Sequence, residues 1–282
     1  MQANATPVDH LGNAVHVWRV PLSASSSDLC RLERSLSSDE AAKADTFFFA
    51  RDRNRFVVAR ANLRAILAHY IRGHPGDVRF SYGLCGKPTI TATEPDEKIE
   101  FNLSHSGDLA IVAVALGFSV GVDVEQVRPE FATAELAAHA FSPDEQIALA
   151  ATPQHQRAAA FFKCWTSKEA YIKGLGDGLG IPLKEFDVCV RPDVPVKLLR
   201  PYRGAANRGA WSLHDLDPGP GYAAALAVAG APGRIVMREW HYAIAAQGMA
   251  TESGGDLALL RDKSLLNGIA SGLSPANCSK DG

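Results

Sequence analysis

Three short stretches of this sequence hold residues able to do chemistry. The first is Gly121-Val122-Asp123-Val124-Glu125. Alternate side chains of an extended strand point to one side, so Asp123 and Glu125 would share a face and form a hard-oxygen pair suited to magnesium. Taken alone, the segment fits a solvated edge strand with acids facing water even better. The second stretch, Phe161 to Lys173 (FFKCWTSKEAYIK), sets Glu169 and Lys173 one helical turn apart. On its own that is an ordinary exposed acid–base pair, adding about 0.2–0.5 kcal/mol to a helix. The third, Asn102-Leu103-Ser104-His105-Ser106-Gly107, offers hydroxyl, imidazole and backbone donors able to hold an anion or a nucleotide. Nothing nearby pairs with His105 as a triad would require, so spacing alone does not make it a general base.

The elements that must carry these residues are legible from periodicity. His16 to Val20 alternates like a strand, and Ser38-Asp39-Glu40 supplies N-capping chemistry for a helix. From Arg53 to Ile71 the positions Phe56, Val57, Ala59, Leu63, Ile66 and Leu67 approximate a helical stripe, with Arg55, Arg60 and Arg64 among them, which predicts a helix edged with arginines. Phe80 to Ile90 reads as strand, Gly-Lys-Pro turn, strand. Leu109 to Leu116 is a β-rich run, and another strand starts at Val120. Helical patterns cover Ala132 to His139, Pro143 to Ala150 and Phe161 to Lys173, the last ending at the glycine cluster 174–180. Tyr222 to Gly230 (YAAALAVAG) resembles Leu109 to Gly117 (LAIVAVALG), which suggests two related halves, although small apolar strands also look alike by chance.

Composition narrows the class. The 282 residues carry a formal net charge of −2, so the whole-molecule field gives no reason to expect nucleic-acid binding, and any anion site must be local. Five scattered cysteines (Cys30, Cys85, Cys164, Cys189, Cys278) without a CxxC pair argue against a disulfide framework or a zinc cluster and fit a reducing compartment. Met1 to His16 lacks the charge and apolar run of a secretory signal, and Leu109 to Val122 is too short to span a bilayer. The expectation is a cytoplasmic protein without nucleic-acid or membrane partners.

In this order and at these separations, the three stretches resemble the 4′-phosphopantetheinyl transferase superfamily, specifically the large pseudo-dimeric type that activates surfactin synthetase. The resemblance takes in Asp39 to Leu67, the Gly86-Lys87-Pro88 turn, Phe141 to Glu145, and Gly178 to Leu183 with Phe186, and so covers about residues 16 to 245. It implies metal ligation by Asp123, Glu125 and Glu169, and coenzyme A contacts at Lys43, Arg55, Lys87, Ser104, His105 and Lys173. Glu169 and Lys173 would be the catalytic pair, with Glu169 as general base and Lys173 at the pyrophosphate. Glu40 stands where some relatives have a basic residue.

The implied reaction moves the 4′-phosphopantetheine arm of coenzyme A onto a serine of an apo acyl, peptidyl or aryl carrier protein, with Mg2+, releasing adenosine 3′,5′-bisphosphate. A magnesium-dependent pyrophosphate hydrolase acting on coenzyme A or a nucleotide would need much the same residues, and a non-catalytic coenzyme A or carrier-binding module is the reading from a different class. The carrier would dock between the halves, and the Phe131 to Phe141 region is equally a docking face or an ordinary amphipathic helix. The expected fold is α+β, with two similar halves, each a small antiparallel sheet packed on a long helix. The N-terminal half (1–118) would bind coenzyme A. The C-terminal half (119–245) would carry the metal site and the catalytic helix, and 246–282 would be a poorly ordered tail. One chain holding both halves completes its own site, so a monomer is expected.

Overall fold

The computed structural model describes residues 11–83, 86–91, 98–176 and 180–240. Cys85, Gly178, Leu179, Cys278 and the expected tail from 246 onward lie outside the described residues. The fold is α+β and contains two main sheets. The first has the order β11-β1-β5-β4, built from β1 (Ala14–Pro21), β4 (Ile99–Ser106), β5 (Leu109–Leu116) and β11 (Arg234–Glu239). The second has the order β6-β10-β9, from β6 (Val120–Gln126), β9 (Trp211–Leu216) and β10 (Tyr222–Ala229). Small hairpins add β2 (Phe80–Tyr82) with β3 (Pro88–Ile90), and β7 (Asp187–Val188) with β8 (Leu198–Arg200).

The apolar run of β5 is continuous because both of its faces are covered. Ala110, Val112 and Val114 pack with Val57, Leu63, Ile66 and Leu67 of the long helix α3 (Ala50–Tyr70). Leu109, Ile111, Ala113 and Ala115 instead meet Val120, Val122 and Val124 of β6, so the two sheets share a buried layer. The same alternation in β10 sends Ala224, Leu226 and Val228 into that layer and Ala225 and Ala227 toward the second long helix, α6 (Arg157–Leu175). The two similar segments thus occupy equivalent places as inner strands. Each is followed by a glycine with positive φ, Gly117 at 78° and Gly230 at 90°, where a side chain would be strained.

Two features depart from the sequence reading. The first sheet is not wholly antiparallel, because β11 returns from the end of the described chain and pairs in parallel with β1, Ala14 opposite Arg234 and Arg19 opposite Glu239. Trp240, just beyond it, donates from Nε1 to Asn62 Oδ1 of α3 at 2.8 Å and sets its ring edge-on to Trp18. Second, the arginines of α3 do not form one exposed edge. Helix α2 (Ser38–Asp45) buries Glu40, which accepts from Arg60 Nε at 2.8 Å and Arg64 Nε at 2.5 Å while capping its own helix through the Ser37 N–H. A buried carboxylate needs such partners. Of the three arginines, Arg55 keeps the most exposed side chain.

Shorter helices α1 (Ser26–Glu33), α4 (Ala134–Ala140) and α5 (Pro143–Ala151) complete the α-helices of the described residues. Helix α5 supplies Glu145, whose carboxylate caps α5 through the Ser142 N–H and accepts Lys168 Nζ at 2.6 Å. Lys168 also donates to Phe186 O at 2.7 Å and has no solvent exposure, so it anchors α6 rather than serving a ligand. Cys30, Cys164 and Cys189 are free thiols. No helix among the described residues is long and apolar enough to cross a membrane.

Candidate active site

Where β6 passes α6, the strand's alternation puts Val120, Val122 and Val124 into the buried layer and leaves Gly121, Asp123 and Glu125 on the other side. Helix α6 lies so close that a Cβ at Gly121 would overlap Ala170 O and the Gly174 backbone, and one at Gly174 would meet the Trp211 ring. This absence of side chains brings Glu169 and Lys173, a turn apart on α6, to the acids of β6.

Asp123 is only 2% exposed. Its Oδ1 accepts from Lys173 Nζ at 2.5 Å and from Ser104 Oγ at 2.8 Å, and Lys173 also donates to Ser104 Oγ at 3.0 Å. Its Oδ2 is buried with no hydrogen-bond partner. Burial, then the charge of Asp123, pushes Glu125 and Glu169 each up to about 7. For Lys173, burial works against the charged form, but Asp123 and then the two glutamates outweigh it and hold the ammonium above its ordinary value.

Glu125, Glu169 and Lys173 all have raised pKa values, so each favours the fold at lower pH, the glutamates in the range near neutrality. A carboxyl whose folded pKa stands above its unfolded value contributes stability below about 4.5 and loses it as pH rises through about 7. With divalent ions chelated, the two glutamates should therefore add a climb in melting temperature as pH is lowered from 8 toward 5, against the opposite pull of His69, His105 and His214, whose pKa values burial lowers. The Glu125→Gln/Glu169→Gln double variant should lack most of that climb in a pH series of thermal melts; an equal slope in both proteins would refute the electrostatic picture.

Among the described residues, no three His, Cys, Asp or Glu side chains are gathered closely enough to grip a metal. Lys173 sits against Asp123 instead. The donor set nevertheless fits a hard divalent cation: Asp123 Oδ2 is an unsatisfied buried acceptor, and burial and the Asp123 charge push up the glutamates beside it, a strain that a cation would relieve.

The remaining expected contacts are spread around this centre. His105 reaches the surface from β4, where the protein around the ring, then Lys173 and Arg55, lowers its pKa and favours neutral imidazole. Arg55 pairs with Asp108 Oδ1 at 2.7 Å in the turn after β4. Lys87 donates to Val120 O at 3.2 Å and Gly174 O at 3.3 Å, so it caps the carbonyl end of α6 in this arrangement, with its pKa lowered by burial. Lys43 is exposed on α2. Phe141 is fully buried and cannot belong to a docking face, while Phe131 is partly covered by the Arg128 guanidinium at 4.6 Å.

Two residues of the Asn102–Gly107 stretch with no individual role assigned by sequence also belong to the site. Asn102 Oδ1 accepts the Val122 N–H at 2.8 Å, and Ser106 Oγ donates to Glu125 Oε2 at 2.6 Å. With Ser104 they form three side-chain rungs from β4 to β6, two strands of different sheets. The available signal was the polar alternation of Asn102, Ser104 and Ser106 within one strand.

Residues 119–227 match the family model described as the 4′-phosphopantetheinyl transferase superfamily, and residues 21–116 match the 4′-phosphopantetheinyl transferase N-terminal model. The chain is 40% identical to 4′-phosphopantetheinyl transferase HetI of Nostoc sp. over 82% of its own length and 94% of that protein's. It is 33% identical to a 4′-phosphopantetheinyl transferase of Bacillus subtilis and 30% identical to Sfp of Bacillus subtilis, each over 64% of this chain and 77% of the relative.

Proposed function

The chain belongs to the 4′-phosphopantetheinyl transferase superfamily, and from that premise we propose how its residues divide the work. It transfers the 4′-phosphopantetheine moiety of coenzyme A to a serine of a carrier protein. The serine oxygen bonds to the β-phosphorus, the bond to the adenosine 3′,5′-bisphosphate side breaks, and the serine proton must be taken up. The observation that carries the reading is the Lys173–Ser104–Asp123 contact with Asp123 Oδ2 left bare beside two glutamates.

Asp123, Glu125 and Glu169 would hold magnesium, which when bound supplies neutralising charge to the pyrophosphate. Glu169 accepts the serine proton, directly or through a water; burial and the Asp123 charge raise its carboxyl in the metal-free site, and a bound cation would draw it back down. Lys173 exchanges its hold on Asp123 for the pyrophosphate and stabilises the charge that builds as the bisphosphate leaves. Ser104, His105, Arg55, Lys87 and Lys43 bind coenzyme A. Neutral His105 donates a hydrogen bond there rather than a charge, and Arg55 becomes available once it leaves Asp108. The protein works as a cytoplasmic monomer.

Lys173→Ala should lower kcat by about 10^2-fold with a smaller change in the KM for coenzyme A. Single-turnover transfer at saturating coenzyme A measures the chemical step, and near-normal turnover would remove Lys173 from the mechanism. For the function as a whole, apo carrier proteins incubated with the chain, coenzyme A and Mg2+ should gain the mass of one phosphopantetheine. The gain should be abolished by chelator and by a Ser→Ala change in the carrier. Cleavage of coenzyme A with no mass gain on any carrier would indicate a hydrolase instead.

A further inference from the structure

Ser106 is placed so that its hydroxyl has one orientation. Its oxygen accepts the backbone N–H of Gln126 at 3.1 Å, and its proton goes to Glu125 Oε2 at 2.6 Å. The amide is fixed by strand β6 itself, since Gln126 pairs with Tyr222 of β10. The hydroxyl therefore transmits the position of the β6 backbone to one oxygen of a side chain on the same strand. Ser104 does the equivalent at Asp123, accepting from Lys173 and donating to Oδ1, which leaves Oδ2 bare.

In both rungs a β4 hydroxyl saturates one oxygen of a β6 acid. A glutamate has one more rotatable bond than an aspartate and gains more from being tied. We infer that Ser106 is a positioning residue that holds Glu125 ready for the divalent cation, by binding one carboxylate oxygen and fixing the side chain's rotamer. This rests on the proposed role of Glu125 as a metal ligand. Outer partners of ligating side chains typically change metal affinity by about 10–100-fold when removed, and the lower end applies to a single hydroxyl.

The test reads metal binding rather than turnover. Mn2+ is titrated into the full chain and free Mn2+ is followed by electron paramagnetic resonance, for the wild type, Ser106→Ala, Ser106→Thr and Glu125→Gln. Ser106→Ala should weaken Mn2+ binding about tenfold, and Ser106→Thr, which keeps the hydroxyl, should restore most of it. Coenzyme A affinity without metal should be unchanged in Ser106→Ala, which a general loosening of β4 would not allow. Unaltered Mn2+ binding in Ser106→Ala, with Glu125→Gln impaired, would overturn the inference alone. Unaltered binding in Glu125→Gln would overturn the ligand assignment on which it stands.

Discussion

Asp123→Asn is expected to lower kcat by about 10^3-fold while shifting the melting temperature little. The substitution keeps the shape of the side chain and its contact with Ser104, but removes the charge at the centre of the site. Two electrostatic effects then oppose each other in the fold. Lys173 loses its 2.5 Å partner, which costs stability. Glu125 and Glu169 lose a neighbouring like charge that helps push both of them up, which returns stability. Catalysis has no such compensation, because the bare Oδ2 and the anchoring of Lys173 both disappear. Single-turnover transfer together with thermal melts separates the two outcomes. A melting temperature that collapses along with activity would make Asp123 a structural residue first.

Gly121→Ala should destabilise the protein by about 3 kcal/mol, measurable as a lower urea midpoint at unchanged slope. The added methyl overlaps Ala170 O and the Gly174 backbone, and these are helix main-chain atoms that cannot swing aside. Relief requires α6 to move away from β6. Any such shift also separates Lys173 and Glu169 from Asp123, so the surviving folded fraction should transfer slowly. A misplacement of about 1 Å can cost about 10^2-fold in rate. Wild-type stability in this variant would mean that the helix–strand contact is looser than the structure shows.

Much of this was readable in one dimension. The 2-residue period of β6 and the 3.6-residue period of α6 predicted which residues share a face, and those periods depend only on local backbone geometry. The boundaries of α3 shifted by a few residues, with the helix starting at Ala50 rather than Arg53. What sequence could not supply were partners distant along the chain. Arg60 and Arg64 look like an exposed edge until Glu40, 20 and 24 residues away, is placed beneath them. Nothing near Lys87 in sequence announces its hydrogen bonds to Val120 O and to Gly174 O at the end of α6. Ser106 gains meaning only when β4 lies next to β6, because the polar alternation of Asn102, Ser104 and Ser106 does not say which strand those side chains meet.

Strand β11 has a bearing on how this chain is made. Its partner β1 is synthesised well before it, with Arg19 and Glu239 separated by 220 positions. At the pace of a ribosome, about 5–20 residues per second, β1 would wait roughly 10–40 s for its outer neighbour. During that interval one side of β1 presents unpaired backbone groups, and its Val15 and Val17 still need the second sheet to cover them. A nascent or truncated product ending before Arg234 would carry a permanently open edge, able to recruit another chain. Strand β11, with Trp240 bolting it to α3, thus covers that side of β1 and takes its place as the outer strand of the sheet among the described residues.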